Sequence, residues 1–282
     1  MRKLVVLLML LGATSMSIAV PVTNGLLVSL DSTQGVTTSG TAVTAWADSV
    51  GGNTFLQATA SRQPALITAT LNGVSQNVIS FTGGTGGDVL AQQSTSSNLN
   101  SNPAPSAFTW YVVWNPTVVS TSQRIFAENA TINGGTTTTN FGIGTNGTVL
   151  ARTNSGTTSA TAVLSTPPTV GVWYVSVGSW DMTTGIAKTV LYDFATGNLL
   201  EQATITGANG ILNNGGFASF LIGGSSTSAG SNFGSFMIAD LLVYNRVLTT
   251  AENTQVVSSL IPEPATITIL ALGAAALLKR RK

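Results

Sequence analysis

The side chains that could do chemistry here are carboxylates and aromatic rings. The chain contains no histidine and no cysteine. That removes Ser-His-Asp catalysis, His-ligated zinc, thiolate metal sites and disulfides. Calcium takes oxygen ligands from carboxylates, carbonyls and amides. Asp31, Asp48 and Asp88 lie near turns, and Asp88 follows a glycine-rich stretch, so these three are the candidate calcium ligands. The competing reading is that each bonds the main chain of its own turn. Sugar binding uses aromatic platforms beside polar groups. Trp46, Tyr111, Trp173, Trp180 and Tyr192 are the candidate platforms, each competing with a place in the core. Glycoside hydrolysis needs two carboxylates across a cleft. Glu128, Glu201 and Glu252 are isolated in sequence, so no catalytic residue is assigned.

The elements that must position these residues read as β-structure. Strand-like runs recur between turn signals, the clearest being Gly25–Leu30, Ala42–Ala47, Val78–Phe81, Phe108–Trp114, Arg124–Ala127, Phe141–Gly144, Val172–Trp180, Thr189–Phe194, Phe217–Ile222 and Phe236–Tyr244. Short strands at this spacing predict an all-β sandwich or jelly roll. In Phe108–Trp114, residues Phe108, Trp110, Val112 and Trp114 share one face. Asn146-Gly147 is the best candidate for a two-residue hairpin turn. Asp240 interrupts the apolar run Phe236–Tyr244, so it must be paired, hydrogen-bonded or near an edge. Thr249-x-x-Glu252 is a capping box that opens one short C-terminal helix carrying Val256, Val257 and Leu260.

The two ends read differently. Met1-Arg2-Lys3, an apolar run Leu4–Leu11 and small residues ending at Ala19 form a signal peptide, with cleavage after Ala19. At the other end stand Pro262-Glu263-Pro264, an apolar stretch Ala265–Leu278 and Lys279-Arg280-Arg281-Lys282. The prolines keep the motif extended, and the basic cluster would stay on the cytoplasmic side of a membrane. The order of these three pieces resembles the PEP-CTERM sorting signal. That resemblance implies an exosortase-type processing enzyme as partner. It also implies a membrane tether through the C-terminal helix before processing, then release to the surface or matrix of a Gram-negative bacterium. Between the tags, residues 20–261 carry five basic and nine acidic side chains, a net charge of −4. A sparse, mildly acidic domain argues against nucleic acid as a partner.

Several segments resemble concanavalin A-like or laminin-G-like jelly rolls: GLLVSLDSTQGV at Gly25–Val36, VTAWADS at Val43–Ser49, NVISFTG at Asn77–Gly83 and IADLLVYNRVLT at Ile238–Thr249, with Glu252 beginning the closing helix. The resemblance implies a two-sheet antiparallel jelly-roll sandwich over residues 20–261, between terminal signal and anchor helices. It implies no activity, because the fold hosts lectins, hydrolases and adhesion modules. Hydrolases on this fold carry paired acidic residues on one strand, with a residue between them. No Glu-x-Asp or Asp-x-Glu occurs in the chain. The leading expectation is a non-enzymatic surface or matrix protein with a lectin-like domain that binds exopolysaccharide. A purely structural or adhesive module is the second expectation, and a glycan hydrolase or lyase the third.

Overall fold

The computed structural model describes residues 20–92, 106–120, 123–132, 136–152, 159–207, 219–224 and 232–261. The signal sequence with Ala19 and the sorting motif Pro262-Glu263-Pro264 lie outside the described residues. No helix among the described residues is long and apolar enough to cross a membrane.

Among the described residues, seventeen strands form two packed antiparallel sheets, accompanied by one α-helix and one short 3-10 helix (Ala60–Arg62). The first sheet holds β1 (Leu26–Asp31), β5 (Ala65–Leu71), β6 (Val74–Phe81), β8 (Ala107–Pro116), β13 (Tyr174–Asp181), β14 (Ile186–Asp193), β15 (Leu199–Ile205) and β17 (Phe236–Tyr244). Its order is β5, β6, β17, β8, β13, β14, β15, with β1 sharing one edge of β17 with β6. The second sheet holds β2 (Val36–Ser39), β3 (Ala42–Ala47), β4 (Thr54–Leu56), β7 (Leu90–Gln92), β9 (Arg124–Ile132), β10 (Thr136–Gly144), β11 (Val149–Arg152), β12 (Ser159–Ala162) and β16 (Ser219–Ile222). Its order is β2, β3, β4, β7, β16, β9, β10, β11, β12. The pair Ala42–Ala65 joins the sheets at one corner.

Alternation along the strands fills the space between the sheets. Phe108, Trp110, Val112 and Trp114 of β8 point inward, as their spacing predicts, and meet Trp46, Phe55, Phe126 and Phe220 from the second sheet. Phe126 stacks on Phe220 with centroids 5.4 Å apart, and Trp110 meets Phe126 edge-on at 5.6 Å. Close approach in this layer requires glycine at 178, because a Cβ there would stand 2.1 Å from the Trp110 indole. Burying these rings supplies the driving force that disulfides give many smaller domains.

A second apolar cluster lies on the outer face of the first sheet, under α1 (Thr250–Leu260). The predicted capping box forms: Thr249 Oγ1 accepts from the Glu252 main-chain N–H, and Glu252 accepts from the Thr249 N–H. Arg246 grips the same carboxylate with two N–H···O bonds of 2.9 and 2.6 Å. Val256, Val257 and Leu260 then seat the helix on Tyr111, Leu242 and Tyr244. The Asn146-Gly147 turn departs from expectation. Gly144 N–H bonds the Thr148 carbonyl, so the loop has Thr145, Asn146 and Gly147 at its tip, with Gly147 at φ 75°. That is a longer loop closed by a left-handed glycine rather than a two-residue turn.

Candidate functional site

The structure sorts the predicted aromatic platforms by face. Trp46 is buried in the inter-sheet core, and its indole N–H donates to the Asp31 carbonyl at 3.1 Å. Trp180 is buried in the same layer. Tyr111 lies under the helix, its hydroxyl bonded to Asn253. These three placements correct the expectation of sugar platforms, since both faces of each ring are covered by protein. Trp173 differs. It precedes β13 on the outer face and is half-exposed. A left-handed Gly171 (φ 82°), whose N–H bonds the Pro116 carbonyl, turns the chain into it. Phe194 donates its main-chain N–H to the Trp173 carbonyl, and the two rings stand 6.4 Å apart.

Tyr192 is the diagonal neighbour of Trp173, because it pairs with Val175, and it too is half-exposed. Diagonal neighbours on one sheet face stand about 7–8 Å apart, within reach of aromatic side chains. Partial burial pushes the Tyr192 phenol above its usual range. Leu199, opposite Tyr192 on β15, is about half exposed and extends the apolar surface to the sheet edge. On the other side, Asn115 and Met237 are paired across β8 and β17. The Asn115 side chain is buried, and its Oδ1 has no hydrogen-bond partner among the described residues. The arrangement is a partly exposed aromatic surface, with the Trp173 and Phe194 rings tilted 51° to each other, of the kind a sugar ring can meet.

The three predicted calcium ligands do not converge, and among the described residues no group of three or more acidic side chains could hold a metal ion. Asp48 is filled by its own turn, accepting from the N–H groups of Val50, Gly51 and Asn53 at 2.7, 2.5 and 2.7 Å. Asp88 accepts from the Thr82 N–H at 2.7 Å across its loop. Burial pushes its carboxyl up, opposed by the Thr82 bonds and the nearby Arg62 charge. Asp31 bonds Thr33 and Gln34. The turn reading thus accounts for all three, and the shared calcium site is corrected. The sequence requires Asp240 to be paired, hydrogen-bonded or near an edge. The structure sets it opposite another carboxylate, Asp31.

Other carboxylates are held locally. Glu201 accepts from Ser165 and Thr166, Asp193 from Thr196, Asp181 from Thr183 and Thr184, and Glu252 caps the helix. Sequence reasoning missed Phe194 and Asn115 as parts of the aromatic surface. Parity could have found the split between Trp173 and Trp180. They are seven residues apart, so a regular strand turns them to opposite faces.

The two-sheet frame has solved counterparts. A Trypanosoma rangeli sialidase bound to sialic acid aligns at a TM-score of 0.51 and 14% identity, over 85% of this chain and 34% of that one. An arabinofuranosidase complexed with arabinofuranosyl-alpha-1,2-xylobiose aligns at 0.52 and 12% identity, over 85% of this chain and 59% of that one. The chain therefore spans about a third of the sialidase and less than two thirds of the arabinofuranosidase. At these identities the likeness is one of fold. No curated protein matches the chain in sequence. The laminin-G-type family profile described as the concanavalin A-like lectin/glucanases superfamily matches residues 83–252, more than half of the chain. By that match and its sandwich of antiparallel sheets, the chain belongs to the concanavalin A-like lectin/glucanase superfamily.

Proposed function

We propose that this protein is an exported, non-enzymatic glycan-binding module of a bacterial surface or matrix, with exopolysaccharide as its ligand. One observation carries the reading: Trp173 and Tyr192 remain half-exposed side by side on the outer face, while the other candidate rings are buried. The superfamily's frame supports it, since both lectins and glucanases are built on that fold. The terminal segments support export: a signal-like start, and a PEP-CTERM-like end that an exosortase would process. The local hydrogen bonds on Asp48, Asp181, Asp193 and Glu252 support a binding rather than a hydrolytic role, because a carboxylate held by its own turn or helix cap is poorly placed to serve a substrate.

A glycan array probed with the purified protein tests this reading. Reproducible binding to polysaccharide, lost in Trp173→Ala and Tyr192→Ala, is the expected result. Absence of binding would leave the structural or adhesive module as the better reading. Release of reducing sugar from the bound glycan would instead favour a hydrolase.

A further inference from the structure

Asn115 carries a polar atom that the fold leaves unused. The residue is 2% exposed, and its Oδ1 has no hydrogen-bond partner among the described residues. Burying an acceptor without a donor costs stability, so such an atom calls for a role. Its place in the sheet supplies one. Trp114 and Ile238 face the inter-sheet core, so Asn115 and Met237 project from the outer face. Tyr174 pairs with Trp114, which sets Trp173 opposite Asn115. Met237 pairs with Asn115 on the other side, and Ser80 pairs with Met237. One cross-strand row therefore runs Trp173, Asn115, Met237, Ser80, without a charged side chain. Asp193 stands between Tyr192 and Phe194, its carboxylate held by Thr196. Lys188 is on the same face of β14 but four residues from Tyr192, about 13 Å along the strand.

We propose that Asn115 Oδ1 is the polar anchor of the Trp173–Tyr192 platform, so that the platform takes an uncharged sugar donating one O–H or N–H to it and rejects acidic polysaccharide. This rests on the glycan-binding reading of the platform. An amide oxygen accepts a hydroxyl or amide hydrogen, and it repels a carboxylate. Nothing in the row neutralises a uronate, and the net charge of −4 on residues 20–261 opposes a polyanion further. Both side chains beside Asn115 are half-exposed. Met237 is the unbranched one, so it is the side chain that turns aside to admit the donor. Stacking on Trp173 then supplies contact area. The hydrogen bond supplies selection, because a buried acceptor disfavours a ligand that leaves it unpaired.

The test is binding of matched oligosaccharides to the full chain: neutral members with a hydroxyl or an acetamido group at C2, and their uronate counterparts. Wild type is expected to prefer the neutral members by about tenfold, and the two neutral arms tell which donor is used. Asn115→Leu keeps the bulk and removes the acceptor. It is expected to weaken neutral-glycan binding by about tenfold while melting no lower than wild type, because the unpaired buried oxygen is gone. Asn115→Ala decides if the leucine variant does not fold. Undiminished binding by either folded variant would overturn the anchor, as would equal binding of neutral and acidic members. The platform would survive both results if Trp173→Ala still abolished binding. Absence of any Trp173-dependent binding would end the platform and the anchor together.

Discussion

The first sheet presents two faces that the same strands treat in opposite ways. Its inner face is apolar and aromatic, with Trp110, Trp114 and Trp180 packed against the second sheet, and the Trp114 indole donates to the Ser176 hydroxyl at 2.8 Å. Its outer face is mixed. A helix covers Tyr111, Leu242 and Tyr244, while beyond the helix stand a carboxyl facing a carboxylate, an amide oxygen without a partner and two half-exposed rings. The inner face is organised for stability. The outer face carries the proposed glycan platform.

Changes of decreasing effect can break this contrast. Trp46→Ala should cost about 3–5 kcal/mol in urea unfolding, from the cavity left by a fully buried indole. Asp240→Asn should act with the opposite sign at alkaline pH. The folded-state value near 8 exceeds the roughly 3.9 of an unfolded aspartate, so the folded state binds the extra proton between them. The contribution of Asp240 to wild-type stability is therefore greatest below about pH 4. It should fall as pH rises toward 8. The asparagine variant should lose that slope and be the more stable protein at pH 8, as read from denaturation midpoints across the window. Gly178→Ala should cost about 1–3 kcal/mol, because its methyl group meets the Trp110 ring. Thr249→Ala should cost about 1 kcal/mol by uncapping the helix. Trp173→Ala should change stability least of these and weaken glycan binding most; equal loss of both would make Trp173 a core residue and end its role as a platform.

The strands that the sequence reveals are those whose apolar content is dense. Ala42–Ala47 and Phe236–Tyr244 appear in the structure with the bounds read from sequence, and the Thr249-x-x-Glu252 cap marks the helix start. The missed strands are short, or polar and half-exposed. β5 (ALITATL) and β15 (LLEQATI) flank the first sheet and keep much of their length in contact with water, so neither shows clean alternation. β4 and β7 have three residues each, too few for a period to register. For the site, composition identified aromatic residues but not their faces. Trp180 and Trp173 lie in one strand-like run, and only their odd spacing separates core from surface. The Asp31–Asp240 opposition was beyond reach, because it depends on how the ends of the chain are aligned against each other. A register shift near Leu26–Val28 further displaces that alignment.

That alignment has a kinetic consequence. β1 has its place beside β17, and the Tyr244 hydroxyl closes onto the Val22 carbonyl across 222 residues of sequence. The first strand therefore has no partner until the last has been made. Contacts so distant in sequence form slowly, since the loop they close is nearly the whole domain. A chain emerging from one end cannot complete this fold part-way. Until Phe236–Tyr244 appears, Leu26–Asp31 stays unpaired and the sheet between them has an open seam. Under the export proposed above, such a late-closing seam would keep the chain loose while it is threaded through a membrane.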